Sequence, residues 1–534
     1  MFRPFREFAL VPVLIATLVA SSAHPAFALA KPKTSETSCG WDSNAGWVKR
    51  ENAKKGNPQW AQGIPIEFSG EYGAKKRYLG VTKWLTHSIG TMAISGWFDS
   101  PGATCGDNVG LHISGNNLPV TVSVYRMGYY AGAGARLIST ATTGAVKQDT
   151  LKISPPLEST VSTTWPAAWY FKINQQSPPG QYLVRLDDSS GHSSFVPLTV
   201  FNPEIKSSIT FVSSVLTWQA YNHWGGYSLY KGPTYRRSTR SRVASFNRPY
   251  DGDGAGEFRY LEYPLVKLAE KLGIDMNYIT DIELDKNIAS LHKTDSILFG
   301  GHSEYWTNGM RNSLQSAVDS GINLVSLGGN AGYNRARLQN NNQVAMWRSH
   351  SRDPYKKDPI MATTAWRDPP IRKPESLLLG AQYVGLGANG DYTIRHPARW
   401  PFFVMKHPEI LQSVVGREVD SALYAVGPAV EILASSAIQM YGKAVTITAT
   451  YYTNAKGAGV IDIATNGWTC AIDNVCPWHP NLSAATQEDV GLVTEEILKG
   501  LTEGPLGKWR PAIPDLSART KISALHSPFL RKRG

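Results

Sequence analysis

The stretch "SILFGGHSEYWTNGMRNSLQSAVDSGINLVSLGG" (residues 296–329) decides the class of fold. "SILFGG" is a short apolar run closed by glycine, as a buried strand requires. "NGMRNSLQSAVDSG" reads as a helix that stops at Gly321. "INLVSLGG" is a second buried strand. The same alternation precedes it. "SSITFVSS" (207–214) reads as a strand. "FRYLEYPLVKLAEKLG" (258–273) carries Leu261, Leu265, Leu268 and Leu272 at helical spacing and ends at Gly273. "DMNYITD" (275–281) is again a strand. Strand, helix and strand in alternation imply a parallel sheet with right-handed crossovers. Further on, "AVTITATYYT" (444–453) and "GAGVIDIAT" (457–465) read as strands rejoining that core. "ATQEDVGLVTEEILKGL" (485–501) reads as a closing helix. Residues 356–420, rich in proline, glycine and aromatics, read as an inserted loop region.

Upstream the period changes. "TVSVYRMGYY" (121–130), "YLVRLDD" (182–188) and "SSFVPLTVF" (193–201) alternate apolar and polar, and glycine, asparagine and proline clusters separate them. Short alternating strands at such spacing predict an antiparallel β-sandwich. The expected fold is therefore α+β and multidomain. A β-sandwich over 65–203 precedes an amidotransferase-like α/β domain over 204–503 with a mostly parallel sheet. Residues 31–64 form an N-terminal extension and 504–534 a basic C-terminal tail. No internal repeat is visible.

The first thirty residues read as a secretory signal peptide. A basic start, "MFRPFREF", leads into the apolar run "ALVPVLIATLVA", which is too short to span a membrane comfortably; small residues follow in "AFALA". The compartment expected is the cell envelope or the outside, with no stable membrane anchor. Four cysteines fit that compartment, and the most economical pairing is Cys39 with Cys105 and Cys470 with Cys476. The net charge of +12 is scattered, without an aromatic-interleaved basic block. A nucleic-acid partner is therefore not expected.

Ligands of open α/β sheets bind beyond the carboxyl ends of the strands, where "HSEYW" sits. As a nucleophile elbow it fails, because Ser303 is followed two residues on by Tyr305 where a small residue is needed. The next candidate turn, "SLGGNAG" (326–332), offers Gly329 or Asn330 where a cysteine would serve, and neither is a nucleophile. His302 and Glu304, two apart on a turn, can converge on one metal ion. "RPYDGDGAGEF" (248–258) lacks most ligands of a calcium loop and reads as a flexible glycine loop over the cleft. Trp218, Trp224 and Trp306 either line an apolar pocket or pack the core.

"YRMGYYAGAGARL" (125–137), "TWQAYNHWGGYSLY" (217–230), "GHSEYW" (301–306) and "LGGNAGYNRARL" (327–338), in this order, resemble the large-subunit family of N,N-dimethylformamidase. The resemblance runs from about residue 90 to 500. It implies hydrolysis of small amides at one iron, Fe(III), held by two tyrosines and a glutamate. A histidine and a further carboxylate stand nearby. The glutamate matches Glu304 and the histidine His302. One tyrosine matches Tyr221; the other best matches Tyr182, with Tyr263 and Tyr230 as alternatives. Tyr182 also fits a structural tyrosine corner. The further carboxylate matches Glu418, with Glu375 second. The resemblance also implies a homo-oligomer or a small partner subunit. The chemistry is coherent by itself: phenolates need a strongly acidic metal, and oxygen ligands suit a hard ion. The rival function is a non-catalytic envelope protein that binds carbohydrate or protein and carries a vestigial site.

Overall fold

The computed structural model describes residues 39–64, 93–148, 150–233, 236–340, 342–407, 409–440, 442–479 and 482–520. The expected signal peptide lies outside the described residues. So do 31–38 of the extension, 65–92 of the expected strand region and the last fourteen residues of the tail.

The chain is a mixed α+β structure in which strands dominate. Leu151–Ile153 pairs with Val161–Thr163 in one small sheet, and the other N-terminal strands form two more. One has the order Gly102–Ala103, Ser193–Val200, Gly180–Asp188, Leu118–Met127, Ala135–Val146; the other has the order Ser95–Phe98, Asn108–Ser114, Trp169–Lys172. All pairings are antiparallel except that of the two-residue Gly102–Ala103 strand. Successive side chains of a strand face opposite ways, so Val120, Val122 and Val124 point together. They share one buried cluster with Val184, Leu186, Val196, Leu111, Ile113 and Phe171 from both sheets.

The second region contains the strands β1 (Ser207–Ser213), β2 (Met276–Thr280), β3 (Thr294–Phe299) and β4 (Asn323–Ser326). The strands β5 (Gln382–Thr393), β6 (Ile410–Ser421), β7 (Glu431–Met440), β8 (Lys443–Thr453) and β9 (Gly459–Asp462) follow. Seven of these form a sheet with the order β2-β1-β3-β4-β9-β8-β7. The first five in that order are parallel. The last two join antiparallel. Every residue of β2 and β4 is buried, the unbroken burial expected of parallel strands covered on both faces. The helix Asn308–Ser320 starts on a Thr307 cap and ends at Gly321, whose φ of 103° is the left-handed turn that glycine permits.

Two expectations change. The helix predicted over 258–273 is two helices, Gly256–Leu261 and Tyr263–Lys271, divided at Glu262. Residues 356–420 are not only loop, for β5 and β6 pair over twelve residues each. The register of this hairpin shifts three times, at Tyr383/Gly385, Leu386/Ala388 and Gly390/Tyr392. Each bulge breaks the period of two by which a strand is recognised.

A buried ion pair ties the N-terminal strands to the parallel sheet's helices. Arg126 Nη2 donates to Glu270 Oε1 at 2.7 Å and Nη1 to Oε2 at 2.9 Å, and both side chains are fully buried. Disulfides join Cys39 to Cys105 and Cys470 to Cys476. Among the described residues no helix is long and apolar enough to cross a membrane.

Candidate metal centre

Three neighbouring parallel strands deliver the site from their carboxyl ends. After β1, the helix Val215–Tyr221 ends on Tyr221. Thr217 and Tyr221 are four residues apart and so share a helical face. Thr217 Oγ1 accepts the backbone N–H of Glu304 at 3.0 Å, which fixes the turn after β3 against that helix. The turn after β4 brings Asn330, at a φ of 61° that asparagine tolerates. Its N–H donates to both oxygens of Asp420 at 2.9 Å. A Cβ on Gly329 would lie 2.5 Å from the Glu418 carbonyl oxygen, so only glycine lets the β6 strand come this close.

The side chains then converge. Tyr221 Oη donates to Glu304 Oε2 at 2.7 Å, and Tyr230 Oη donates to the same oxygen. Asn334 Nδ2 donates to Glu304 Oε1. His302 Nε2 lies 2.9 Å from Glu418 Oε2 and 3.8 Å from Glu304 Oε2. Asn330 Nδ2 donates to Glu418 Oε2 at 2.7 Å. One ligand atom from each of His302, Glu304 and Glu418 lies within 4.8 Å of the others, and all three residues are buried. The cluster can hold a metal ion. Asn330 Oδ1 is a further buried oxygen with no hydrogen-bond donor among the described residues.

The two carboxylates are shifted in opposite directions. Burial first, then the charge of Glu418, pushes Glu304 above the usual carboxylate range. Burial acts the same way on Glu418. The His302 charge and hydrogen bond, with Arg417 and Asn330, outweigh it and hold Glu418 at about 2. Burial disfavours the charged His302, but Glu418 raises it on balance. The centre therefore contains an ionised Glu418 that favours the charged form of His302. Burial, then the Glu304 charge, pushes the Tyr230 hydroxyl well up, so a phenolate there needs a further cation.

The site opens into a cavity of about 350 Å³ that Tyr221, Tyr230, Glu304, Glu418 and Asn330 help to line. The model of the N,N-dimethylformamidase beta subunit-like, C-terminal family matches residues 121–481, about two thirds of the chain. The chain belongs to that family. No curated protein matches it.

In this dimethylformamidase-like chain, Tyr221, Glu304, His302 and Glu418 meet. Tyr182 does not join them. It sits in the N-terminal strand core and donates to the Pro178 carbonyl at 2.6 Å, the tyrosine-corner arrangement. Tyr230, the other alternative, stands at the cluster with its hydroxyl on Glu304. Tyr263 donates to the Gly134 carbonyl at 2.9 Å, and Glu375 pairs with Arg367. Trp218, Trp224 and Trp306 are buried in the core. The 248–258 loop is built in rather than laid over a cleft. Asp251 accepts the His223 N–H at 3.1 Å, and Asp253 pairs with Arg259. Asn334 carries no motif signal of its own, and Asn330 is legible from sequence only as a position that lacks a nucleophile. Both lie in the "GGNAGYN" turn, where the glycines were the available signal.

Behind the cluster, Asp462 Oδ1 accepts the Ala464 N–H at 2.9 Å, while Oδ2 is buried with no donor among the described residues. Burial, then the Glu375 charge, raises Asp462 to about 8. The folded state thus keeps a proton that the unfolded chain releases near pH 4. The stability this proton carries is full below about pH 4 and declines as pH rises to about 8, by about 1.4 kcal/mol per unit. Asp462→Asn removes this titration. Its stability relative to the native chain should climb at that slope between pH 5 and 8 in denaturant unfolding. Parallel pH profiles for the two proteins would refute the assignment.

Proposed function

We propose that the protein hydrolyses the carbon–nitrogen bond of a small amide at a mononuclear iron, Fe(III), held by Tyr221, Tyr230 and Glu304. One observation carries this reading: two tyrosine hydroxyls meet at one carboxylate oxygen in a member of the N,N-dimethylformamidase beta subunit-like family. Such an all-oxygen donor set suits a hard trivalent ion, and bound iron would supply a Lewis acid that polarises an amide carbonyl. The protein's own groups handle the protons. Glu418, ionised and oriented by Asn330 Nδ2, accepts a proton from the attacking water. His302 Nε2, 2.9 Å from Glu418 Oε2, donates one to the leaving nitrogen. Asn334 Nδ2 holds Glu304 in place through Oε1, and burial keeps bulk water from the cluster.

The reading includes a β-sandwich domain over 65–203, an amidotransferase-like domain over 204–503, export from the cell by a signal peptide, and assembly with a second copy or a small subunit. The two disulfides support export, and the family's beta-subunit description supports assembly. A vestigial site in a non-catalytic binding protein has less support, because the cluster is complete. The test is elemental analysis of the protein purified from iron-replete medium, with ammonia or amine release from simple formamides. One iron per chain and turnover are expected; absence of iron would overturn the reading.

A further inference from the structure

We propose that the amide taken by this site carries an anionic group of the carboxylate class, held by cavity arginines with Arg240 foremost. The amide is taken from the reading above; the anion is argued from the cavity alone.

Five arginines line the cavity that holds the centre: Arg237, Arg240, Arg348, Arg367 and Arg417. Its acidic lining is Glu304, Glu418 and Asp368. The two glutamates belong to the centre, where Arg417 acts on Glu418 and lies 6.0 Å from the centre of the Tyr221 ring, so the other four guanidinium groups face one aspartate. Two of these four are engaged. Arg367 Nη2 donates to Glu375 and Nη1 to the Tyr383 carbonyl at 2.9 Å. Arg348 lies 4.3 Å from the centre of the Tyr230 ring and donates to the Tyr305 hydroxyl.

Arg240 has no such partner. Its Nε is buried without an acceptor among the described residues, and no carboxylate there pairs with it. The chain instead surrounds it with its own charge. The strand Val243–Ser245 pairs with Gln343–Ala345, and the Met346 N–H donates to the Arg242 carbonyl, which brings Arg240 and Arg348 into one neighbourhood. Burial first, then repulsion from Arg348 and Arg242, lowers Arg240 to about 10, so it stays charged at neutral pH. A half-buried cation among cations destabilises the fold. A bound anion offsets that cost, and the planar guanidinium fork matches a carboxylate.

Size points the same way. Cavities of about 300–1,000 Å³ enclose ligands of many heavy atoms, and this one is about 350 Å³. A small neutral formamide would leave most of it empty and would gain nothing from the arginines.

The test pairs N-formylglycine with its near-isosteric neutral partner, N-formylglycinamide. Binding of each to the metal-loaded full chain is measured by calorimetry, and hydrolysis of each by product release. Charge-assisted recognition predicts that N-formylglycine binds at least about tenfold more tightly. Arg240→Gln should erase most of that preference, and Arg240→Lys, which keeps the charge, should restore part of it. Equal affinity for the two probes would overturn the inference and leave the amidase reading standing. The preference without hydrolysis of either probe would uphold the anion site and overturn the amidase reading. Preference unchanged in Arg240→Gln would remove Arg240 from the inference and refute it as stated.

Discussion

Glu304→Gln is expected, on the proposed reading, to abolish metal binding and amide hydrolysis together, while the fold survives. Three donors meet at this carboxylate: Tyr221 Oη and Tyr230 Oη at Oε2, and Asn334 Nδ2 at Oε1. Glutamine keeps the shape and removes the charge. One of its two ends becomes a donor, and every neighbour around it is already donating. Changing a residue behind a ligand costs about 10–100-fold in metal affinity. Removing a ligating charge should exceed about 100-fold, and turnover should fall at least about a thousandfold. The backbone of Glu304 is fixed independently by Thr217 Oγ1 and by the Asn334 N–H, so the turn remains. Metal content, circular dichroism and unfolding midpoints on one preparation decide the matter. A variant with full metal content would place the ion elsewhere; a variant without fold would leave Glu304 structural.

Much of this centre was legible because strand ends are legible. "SSITFVSS", "SILFGG" and "INLVSLGG" are apolar runs closed by small residues, and the sheet puts them side by side as β1, β3 and β4. Tyr221 and His302–Glu304 follow two of those ends and meet there. Tyr230 was harder to read. It lies beyond a turn with left-handed Gly225 and Gly226, in a segment with no hydrophobic period. The reversal that returns it to the cluster depends on Arg248. That side chain donates to the carbonyls of Gln219, Asn222, Trp224 and Tyr227. Local sequence does not encode a bond made by a residue eighteen positions on. Tyr182 matches the family's second tyrosine by resemblance, but its strand points it inward to the strand core. Glu418 was found through resemblance to the family. Its strand is interrupted by bulges and its partner is the hairpin's other arm, so periodicity alone gave a loop.

The choice between Tyr230 and Tyr182 is open to a direct comparison of two substitutions, each removing one oxygen. Tyr230→Phe keeps the ring that packs 4.4 Å from Tyr221 and 4.3 Å from the Arg348 guanidinium. It removes only the hydroxyl directed at Glu304. If Tyr230 is one of two phenolate ligands, phenolate-to-iron absorption should drop by about half and shift. Turnover should fall by about a hundredfold or more, in line with the loss of several kcal/mol of charge stabilisation at a metal site. Tyr182→Phe should leave absorption and turnover at native levels. It leaves the Pro178 carbonyl without its donor, a change worth about 1–3 kcal/mol of stability. The two variants should therefore separate completely: one alters the spectrum at native stability, the other alters stability at native spectrum. A native spectrum in Tyr230→Phe with a bleached one in Tyr182→Phe would reverse the ligand assignment. It would also require the N-terminal strands to move to the centre, against the buried Arg126–Glu270 pair that holds them to the helix Tyr263–Lys271.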